Sequence, residues 1–327
     1  MIVPSKRLTV LFMAESAEFA PWGDDVVAAI GDKHDLRIFD QSLPLVPQFD
    51  GVDVVIDEGG SVGTREMADA AEGQARLWQI LGTGLDHFDM DYWRGKGIPV
   101  ANCPGPFSSV ALAECAMMFI LMLTRKYAET QSNLHNQIMY HPVGIELEKL
   151  KLGIIGFGAS GMDLARRARS FGMSILAIDI RDVSDDEIEE FGVEFVGKPD
   201  AMDTVISQSD ILSLHLHLNS ETHHIIDNQK FGLMKPSAYL INVARGALVD
   251  EVALEQALQS GQIAGAGLDA FGQEPPDITS AIFSMSNVVT TPHIAGATDG
   301  TSRKRAEAAA NNVDRIASGL EALYRVD

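Results

Sequence analysis

The stretch KLGIIGFGASG, residues 151–161, indicates the fold of this chain most directly. It joins an apolar, strand-like run to the glycine pattern GxGxxG, and a helix-like segment at 162–171 follows. In this setting the three glycines have different roles. Gly156 permits the tight turn, Gly158 lets the backbone approach a pyrophosphate, and Gly161 lets helix and strand pack closely. The free N–H groups at the start of the helix can then bind the phosphates, so the pattern predicts a dinucleotide-binding turn.

Asp179 marks where the ribose of such a dinucleotide would bind. It ends the next strand-like run, 174–178, and lies 18 residues beyond Gly161, close to the spacing of about 20 expected for the ribose-binding acid. Its carboxylate can accept hydrogen bonds from both ribose hydroxyls and would repel a 2′-phosphate. We therefore predict that the cofactor is NAD, in its NADH form for reduction, and that NADP is disfavoured, although Arg181 weakens that discrimination. The alternative is a structural glycine turn beside a surface aspartate.

Short β-rich runs alternate with helix-like segments along the chain, an order typical of parallel sheets covered by helices. At 327 residues the chain is long enough for about two domains. The predicted fold class is therefore α/β, with two Rossmann-like, doubly wound parallel-sheet domains. Helices are predicted at 22–30, 65–72 and 302–320, the last with Thr301 or Ser302 as its N-cap. Strands are predicted at 8–13, 36–39, 52–56, 77–81 and 99–101 in a first series, and at 151–156, 174–179, 211–215, 238–242, 264–268 and 288–290 in a second.

Composition and charge restrict the possible classes of function. Lys and Arg number 25 against 46 Asp and Glu, a formal net charge of −21, which a nucleic-acid backbone or an anionic lipid surface would repel. The two cysteines, Cys103 and Cys115, are too few for a disulfide framework, and no Cys/His pattern indicates a metal site. The most apolar stretch, 115–123, is too short to span a bilayer. We therefore expect a cytoplasmic protein without nucleic-acid or membrane partners and without a bound metal.

Three residues in the second half of the chain form a candidate catalytic set: Arg245, Glu274 and His293. Arg245 and His293 each follow a strand-like run, and ligands of open parallel sheets bind beyond the carboxyl ends of the strands. A guanidinium suits bidentate binding of a carboxylate, an imidazole can give and take a proton near neutral pH, and a nearby carboxylate stabilises the charged imidazole. With a nicotinamide cofactor, the set predicts hydride transfer at C2 of a 2-hydroxy acid. Taken singly, each residue has an ordinary alternative: a salt-bridge partner, a solvated loop residue or a turn cap.

Several further motifs resemble the D-isomer-specific 2-hydroxyacid dehydrogenase family, which includes phosphoglycerate dehydrogenases, glyoxylate/hydroxypyruvate reductases and D-lactate dehydrogenases. The resemblance runs over essentially the whole chain, and the motifs together are far more specific than any one of them. Besides the glycine turn, the segments that carry it are 82–89, 97–105, 110–114, 214–216, 245–250, 267–269 and 292–293.

The resemblance implies a role for each matching position. Arg245 would bind the substrate carboxylate and keto oxygen, and His293 would be the general acid in reduction and the base in oxidation, with Glu274 as its charged partner. Backbone N–H groups of Glu58 and Gly59 would contact the substrate carboxylate. Beside Gly156, Gly158, Gly161 and Asp179, the residues that would line the NAD site are Ala159, Ser160, Val243, Ala244, Asp269 and Gly296.

The resemblance also implies a domain arrangement. Residues 1–102 plus 298–327 would form a discontinuous, flavodoxin-like substrate domain, and residues 103–297 an inserted NAD-binding Rossmann domain. The active site would lie in the cleft between the domains, whose closure would exclude water. A homodimer formed through helices near residues 110–123 is expected on the same ground.

The nature of the substrate depends on Asp57 and Glu58; many members of the family carry Arg or Lys in place of Asp57. The two side chains face either solvent or the substrate, and in the second case they oppose a second anionic group. We therefore expect a small 2-oxo or 2-hydroxy monocarboxylate rather than 3-phosphoglycerate. Two alternatives stay open: a non-catalytic NAD(H) sensor or co-regulator on the same fold, and a dehydrogenase of another small anion such as formate or phosphite. The formate enzymes have Gln in place of Glu274, which disfavours that alternative.

Overall fold

Strands and helices alternate throughout the computed structural model, which describes residues 6–14, 21–58, 63–86 and 88–326. The strands are β1 (Thr9–Met13), β2 (Asp35–Ile38), β3 (Val54–Asp57), β4 (Leu77–Ile80), β5 (Val100–Ala101), β6 (Lys151–Ile155), β7 (Ser174–Ile178), β8 (Val193–Gly197), β9 (Ile211–Leu214), β10 (Tyr239–Asn242), β11 (Gly265–Leu268) and β12 (Val288–Thr290). The helices are α1 (Trp22–Ile30), α2 (Leu45–Gln48), α3 (Arg65–Ala71), α4 (Met90–Gly95), α5 (Ser109–Thr124), α6 (Tyr127–His135), α7 (Ala159–Ser170), α8 (Asp185–Phe191), α9 (Met202–Gln208), α10 (Asn228–Leu233), α11 (Glu251–Gln259) and α12 (Asp299–Ala317).

The chain divides into two compact units. One comprises Met1–Phe107 together with Thr298–Asp327, and the other comprises Ser108–Ala297. Each unit contains one parallel sheet, so the prediction of an α/β fold with two parallel sheets is confirmed. The assignment of the units as substrate and cofactor domains stays a proposal.

The unit Ser108–Ala297 is built on a seven-stranded sheet in the order β12-β11-β10-β9-β6-β7-β8. Adjacent residues of β6 point to opposite faces: Ile154 packs with residues of α5 and α7, and Ile155 packs with residues of α9, α10 and α11. Burial on both faces explains the continuous apolar runs of these strands. The direction of the strand order reverses between β6 and β9, and ligands of open α/β sheets bind at such a reversal, beyond the carboxyl ends of the strands.

The other unit has a five-stranded sheet in the order β2-β1-β3-β4-β5, which is the flavodoxin-like order. Along β1, Val10 and Phe12 pack against α12, whereas Leu11 and Met13 pack on the opposite face with Trp78. The alternation follows from the two-residue period of a strand. This sheet is therefore also covered on both faces.

The secondary structure differs from the predictions at the last helix, which spans Asp299–Ala317 rather than 302–320, and at β8. The N-cap of α12 is Thr298, whose hydroxyl accepts a hydrogen bond from the N–H of Thr301 at 3.2 Å, so the assignment of Thr301 or Ser302 as the cap is wrong. Thr298 has the extended backbone that an N-cap requires, and the helix begins earlier than predicted. The edge strand β8, with the sequence VEFVG, was not predicted because Glu194 interrupts its apolar residues, whereas no charged residue lies inside the other described strands of this sheet.

The apolar stretch at residues 115–123 lies within α5. Most of its large side chains are buried, and Phe119 and Ile120 are fully so, against the sheet of the same unit. Among the described residues, no helix is both long enough and apolar enough to cross a bilayer. The described residues also contain no cluster of three or more His, Cys, Asp or Glu side chains suited to a metal ion.

Candidate active site

The glycine turn follows β6 at the reversal of the sheet, and its three glycines have different surroundings. Gly156 has a φ of 97°, and a Cβ there would come within 2.4 Å of the carbonyl oxygen of His215. A Cβ on Gly161 would come within 2.3 Å of the carbonyl oxygen of Gly156. A Cβ on Gly158 would meet no described atom within 4 Å. α7 begins at the next residue, Ala159, so the free N–H groups of its first turn lie beside the space at Gly158. Open space next to free N–H groups fits a pyrophosphate.

Asp179 lies directly against the glycine turn. Its Oδ2 accepts a hydrogen bond from the N–H of Phe157 at 2.6 Å, and its Oδ1 accepts one from the N–H of Arg181 at 2.9 Å. The side chain is half-buried at the end of β7. Each carboxylate oxygen has a second lone pair with which it could accept a ribose hydroxyl. The structure thus brings together the acid predicted to bind the ribose and the turn predicted to bind the pyrophosphate.

Ser160 is held in place by a histidine for which no role was predicted from the sequence. Its Oγ lies 3.0 Å from Nδ1 of His215, while Nε2 of His215 lies 2.9 Å from Oγ of Ser213. Burial lowers the pKa of His215 to about 4, so the ring is neutral at pH 7. A neutral imidazole between two hydroxyls fixes the first turn of α7 to the end of β9. The position of His215 right after a strand could have indicated such a role.

Arg245 lies in the short loop after β10, and a buried asparagine shapes that loop. The Nδ2 of Asn242 donates to the carbonyl oxygen of Arg245 at 2.8 Å, and its Oδ1 accepts from the N–H of Ala244 at 3.1 Å. Asn242 is 1% exposed, Val243 and Ala244 are buried, and Arg245 is half-buried. The loop was identified from the sequence, but the role of Asn242, which ties both ends of the turn, was missed.

The loop of Arg245 packs directly on the loop that carries Glu274. A Cβ on Gly246 would lie 1.8 Å from the carbonyl carbon of Phe271 and 2.3 Å from the nitrogen of Gly272. The N–H of Phe271 in turn donates to Oε1 of Glu274 at 3.0 Å. Only glycine allows two backbones to approach so closely. Gly246 therefore fixes the spacing between the loop of the guanidinium and the loop of the carboxylate.

Glu274 and His293 form the central pair of the candidate site. Nδ1 of His293 lies 2.7 Å from Oε2 of Glu274, and the exposed fractions of the two side chains are 44% and 38%. His293 also has a φ of 55°, in the left-handed region that residues other than glycine rarely adopt. Such strained backbone is concentrated at functional sites. The pairing of Glu274 with His293 that the resemblance implies is thus present in the structure.

The loop of His293 is held by Asp269, which was expected to line the NAD site. Asp269 is 1% exposed and accepts hydrogen bonds from Oγ1 of Thr291 at 2.5 Å and from the N–H groups of Ile294 and Ala295, both at 2.8 Å. All three donors flank His293 in the chain. The buried carboxylate therefore sets the path of the loop, whichever ligand the loop contacts.

Sheet register explains why the three loops meet. Asn242, Leu268 and Thr290 are paired across the neighbouring strands β10, β11 and β12. Arg245 and His293 each lie three residues beyond their paired position. Parallel strands end at the same edge of the sheet, so these loops leave it side by side. Gly296 lies farther along the loop of His293 and is half-buried.

The acidic pair expected to influence substrate choice belongs to the other unit. Asp57 ends β3, is 1% exposed, and accepts a hydrogen bond from Nε1 of Trp78 at 3.1 Å. The alternative that Asp57 faces solvent is therefore wrong, because its carboxylate lies among the core residues of its own unit. Glu58 is half-buried, and its N–H donates to the carbonyl oxygen of Met13 at 3.2 Å. Gly59 lies outside the described residues.

Comparison with known proteins finds relatives over most of the chain. Residues 117–295 match the sequence profile of the NAD binding domain of D-isomer specific 2-hydroxyacid dehydrogenases. The chain is 38% identical to a glyoxylate reductase of Thermococcus litoralis over 72% of each chain. It is 35% identical to a hydroxypyruvate reductase of Thermotoga maritima, over 81% of this chain and 84% of the relative. A solved structure of D-lactate dehydrogenase from Aquifex aeolicus, complexed with NAD and lactic acid, matches with a TM-score of 0.80 at 28% identity, covering 95% of this chain and 96% of that one.

Proposed function

Because the chain belongs to the D-isomer-specific 2-hydroxyacid dehydrogenase family and is thus an NAD-dependent dehydrogenase of 2-hydroxy acids, we propose that it reduces a small 2-oxo monocarboxylate with His293 as the general acid. The observation that carries the proposal is the 2.7 Å contact between Nδ1 of His293 and Oε2 of Glu274. The pair lies at the sheet edge that also carries Arg245.

The imidazole of His293 has two nitrogens with separate roles. Nδ1 shares its proton with Glu274, so Nε2 is the nitrogen that delivers a proton to the developing alkoxide in reduction and removes it in oxidation. The carboxylate stabilises the charged ring before the proton leaves. NADH, when bound, supplies the hydride that adds to C2. Arg245 binds the substrate carboxylate and keto oxygen, which orients the carbonyl carbon.

The cofactor site lies along the start of α7. The open side of Gly158 and the N–H groups after it would accept the pyrophosphate, and Ala159 and Ser160 would line it. Asp179 would accept the ribose hydroxyls. Val243, Ala244, Asp269 and Gly296, near the catalytic pair, would surround the nicotinamide end.

Charge supports a substrate with a single anionic group. The net charge of −21 makes a second negative group on the substrate unfavourable, and the carboxylate of Glu58 would oppose such a group if that side chain faces the substrate. The matched relatives that are named as glyoxylate and hydroxypyruvate reductases support the same substrate class. We therefore propose glyoxylate or hydroxypyruvate ahead of a phosphorylated acid.

Initial rates with NADH and NADPH against glyoxylate, hydroxypyruvate, pyruvate and phosphohydroxypyruvate test this function. We expect turnover of the unphosphorylated acids with NADH, and comparable rates with phosphohydroxypyruvate would refute the substrate class. Binding of NADH without turnover of any acid would instead favour the sensor. NAD-dependent oxidation of formate or phosphite would favour the dehydrogenase of another anion.

We also propose that the protein is a homodimer. α5 buries most of its apolar side chains within its own unit, but large apolar side chains are exposed in α6 and the segment after it. They include Leu134 at 60%, Met139 at 60% and Tyr140 at 94% exposed. A second copy that covers this surface would remove it from water. Sedimentation equilibrium measures the stoichiometry, and a monomer at micromolar concentration would refute the proposal.

A further inference from the structure

Two cations lie in and beside the loop that follows the proposed ribose acid, and both already have protein partners. A basic residue at this place ordinarily accommodates the 2′-phosphate of NADP. Lys198 donates from Nζ to the carbonyl oxygens of Ile180 at 3.0 Å and Arg181 at 2.9 Å, and it pairs with Asp182 at 2.7 Å. The ammonium therefore stabilises the loop itself.

Arg181 is held more firmly than Lys198, because its partners lie in two separate segments, the glycine turn and α8. Its Nη2 and Nε donate to the carbonyl oxygen of Phe157, within the glycine turn, at 2.8 and 3.3 Å. Its Nη1 lies 3.0 Å from the carboxylate of Glu187 in α8. A 2′-phosphate would have to displace Glu187 in order to bind Nη1 of this guanidinium, whereas Nη2 and Nε can stay bonded to the carbonyl oxygen of Phe157.

Glu187 is itself fixed by a capping box at the start of α8. Its N–H donates to Oγ of Ser184 at 3.2 Å, and its Oε2 accepts from the N–H of Ser184 at 2.9 Å. The hydrogen bonds from Arg181 and then from the Ser184 N–H lower the pKa of Glu187 to about 2. The carboxylate is therefore charged, and it is oriented before any cofactor arrives.

We propose that Glu187 is a specificity-determining residue: it keeps Arg181 paired within the protein, and the guanidinium is then unavailable to a 2′-phosphate. The proposal rests on the proposed function, since it takes the NAD site to be at the glycine turn. Asp179 and Glu187 then act together. Asp179 repels a 2′-phosphate, and Glu187 keeps Arg181, a cation that could neutralise the phosphate, paired within the protein.

The test is the dissociation constant of NADH and of NADPH for the full chain, followed by the fluorescence of the reduced nicotinamide. Glu187→Gln removes the charge but keeps the capping box, which accepts Gln at this position. We expect NADPH to bind about tenfold more tightly or better, which is the lower end of what one hydrogen bond to a charged group contributes. Binding of NADH should stay within about twofold of the wild type. Added salt should weaken the gain, because exposed ion pairs are screened.

Two further variants separate this role from a structural one. Glu190 lies on the same helix and forms a similar pair, with Arg166 at 2.9 Å. Breaking that pair with Glu190→Gln should leave the dissociation constants of NADH and NADPH within about twofold of the wild type. Adding Arg181→Gln to Glu187→Gln should abolish the gain in NADPH binding. Unchanged NADPH binding in Glu187→Gln, or an equal change for both cofactors, would overturn the proposal. Since the assay measures binding, a protein that binds NADH but reduces no 2-oxo acid would refute the proposed function alone.

Discussion

Gly246→Ala tests whether the loops of Arg245 and Glu274 act as one site. The new Cβ would lie 1.8 Å from the carbonyl carbon of Phe271, and ordinary contacts begin at 3.4 Å. Both neighbours are backbone, so the two loops must separate by about 1.6 Å, the difference between those distances. A displacement of about 1 Å in a catalytic site can cost about 100-fold in rate. We therefore expect kcat/KM to fall about 100-fold or more, and overpacking to destabilise the unit by about 1–3 kcal/mol.

The assay is NADH-dependent reduction of glyoxylate, with NADH binding and thermal unfolding measured on the same samples. NADH binding should weaken by less than kcat/KM falls, because the contacts of the glycine turn with the pyrophosphate and ribose are kept, although Val243 and Ala244 move with the loop. Gly232→Ala in α10 is the matched control: its Cβ would lie 3.7 Å from Nε2 of Gln262, an ordinary contact, and should leave kcat/KM unchanged. A Gly246→Ala protein with wild-type kcat/KM and an unchanged melting temperature would show that the close contact does not position the site.

Three other substitutions probe single side chains. Glu274→Gln should lower kcat/KM about 10-fold or more without weakening NADH binding, because the imidazole of His293 loses the negative charge that lies 2.7 Å from its Nδ1; an unchanged kcat/KM would exclude that role. Arg245→Ala should lower kcat/KM about 100-fold or more without weakening NADH binding, and equal losses in both would place Arg245 in the cofactor site instead. Burial lowers the pKa of His215 from 6.5 to about 4. At a pH between these two values, His215 therefore binds a proton in the unfolded chain but not in the folded chain. The contribution of His215 to the unfolding free energy should therefore fall by at most about 3 kcal/mol between pH 7 and pH 4, so the total fall should be smaller in His215→Gln, as urea titrations at each pH would show; an equal fall in both proteins would contradict the assignment.

The features that could be predicted from sequence are those encoded locally. The apolar run 151–155, the glycine pattern after it and Asp179 all lie within about 30 residues, and each has a direct consequence for backbone or burial. The parallel strands were recognisable because burial on both faces gives continuous apolar runs. β8 was missed because the charged Glu194 interrupts its apolar residues, and the cap of α12 was misplaced because several hydroxyl residues occur together between Thr298 and Ser302.

The geometry around His293 could not be predicted in this way, because it depends on side chains brought together by sheet register. Its positive φ costs about 1–3 kcal/mol, and the sequence Thr-Pro-His gives no sign of it. The three hydrogen bonds to the buried carboxylate of Asp269 contribute about 1 kcal/mol each, and they can offset that cost. Glu274 then meets an imidazole whose backbone is already fixed. The strain is therefore maintained by an acid at the end of β11, and the position of His293 follows from the pairing of β11 with β12 rather than from its own neighbours in the chain.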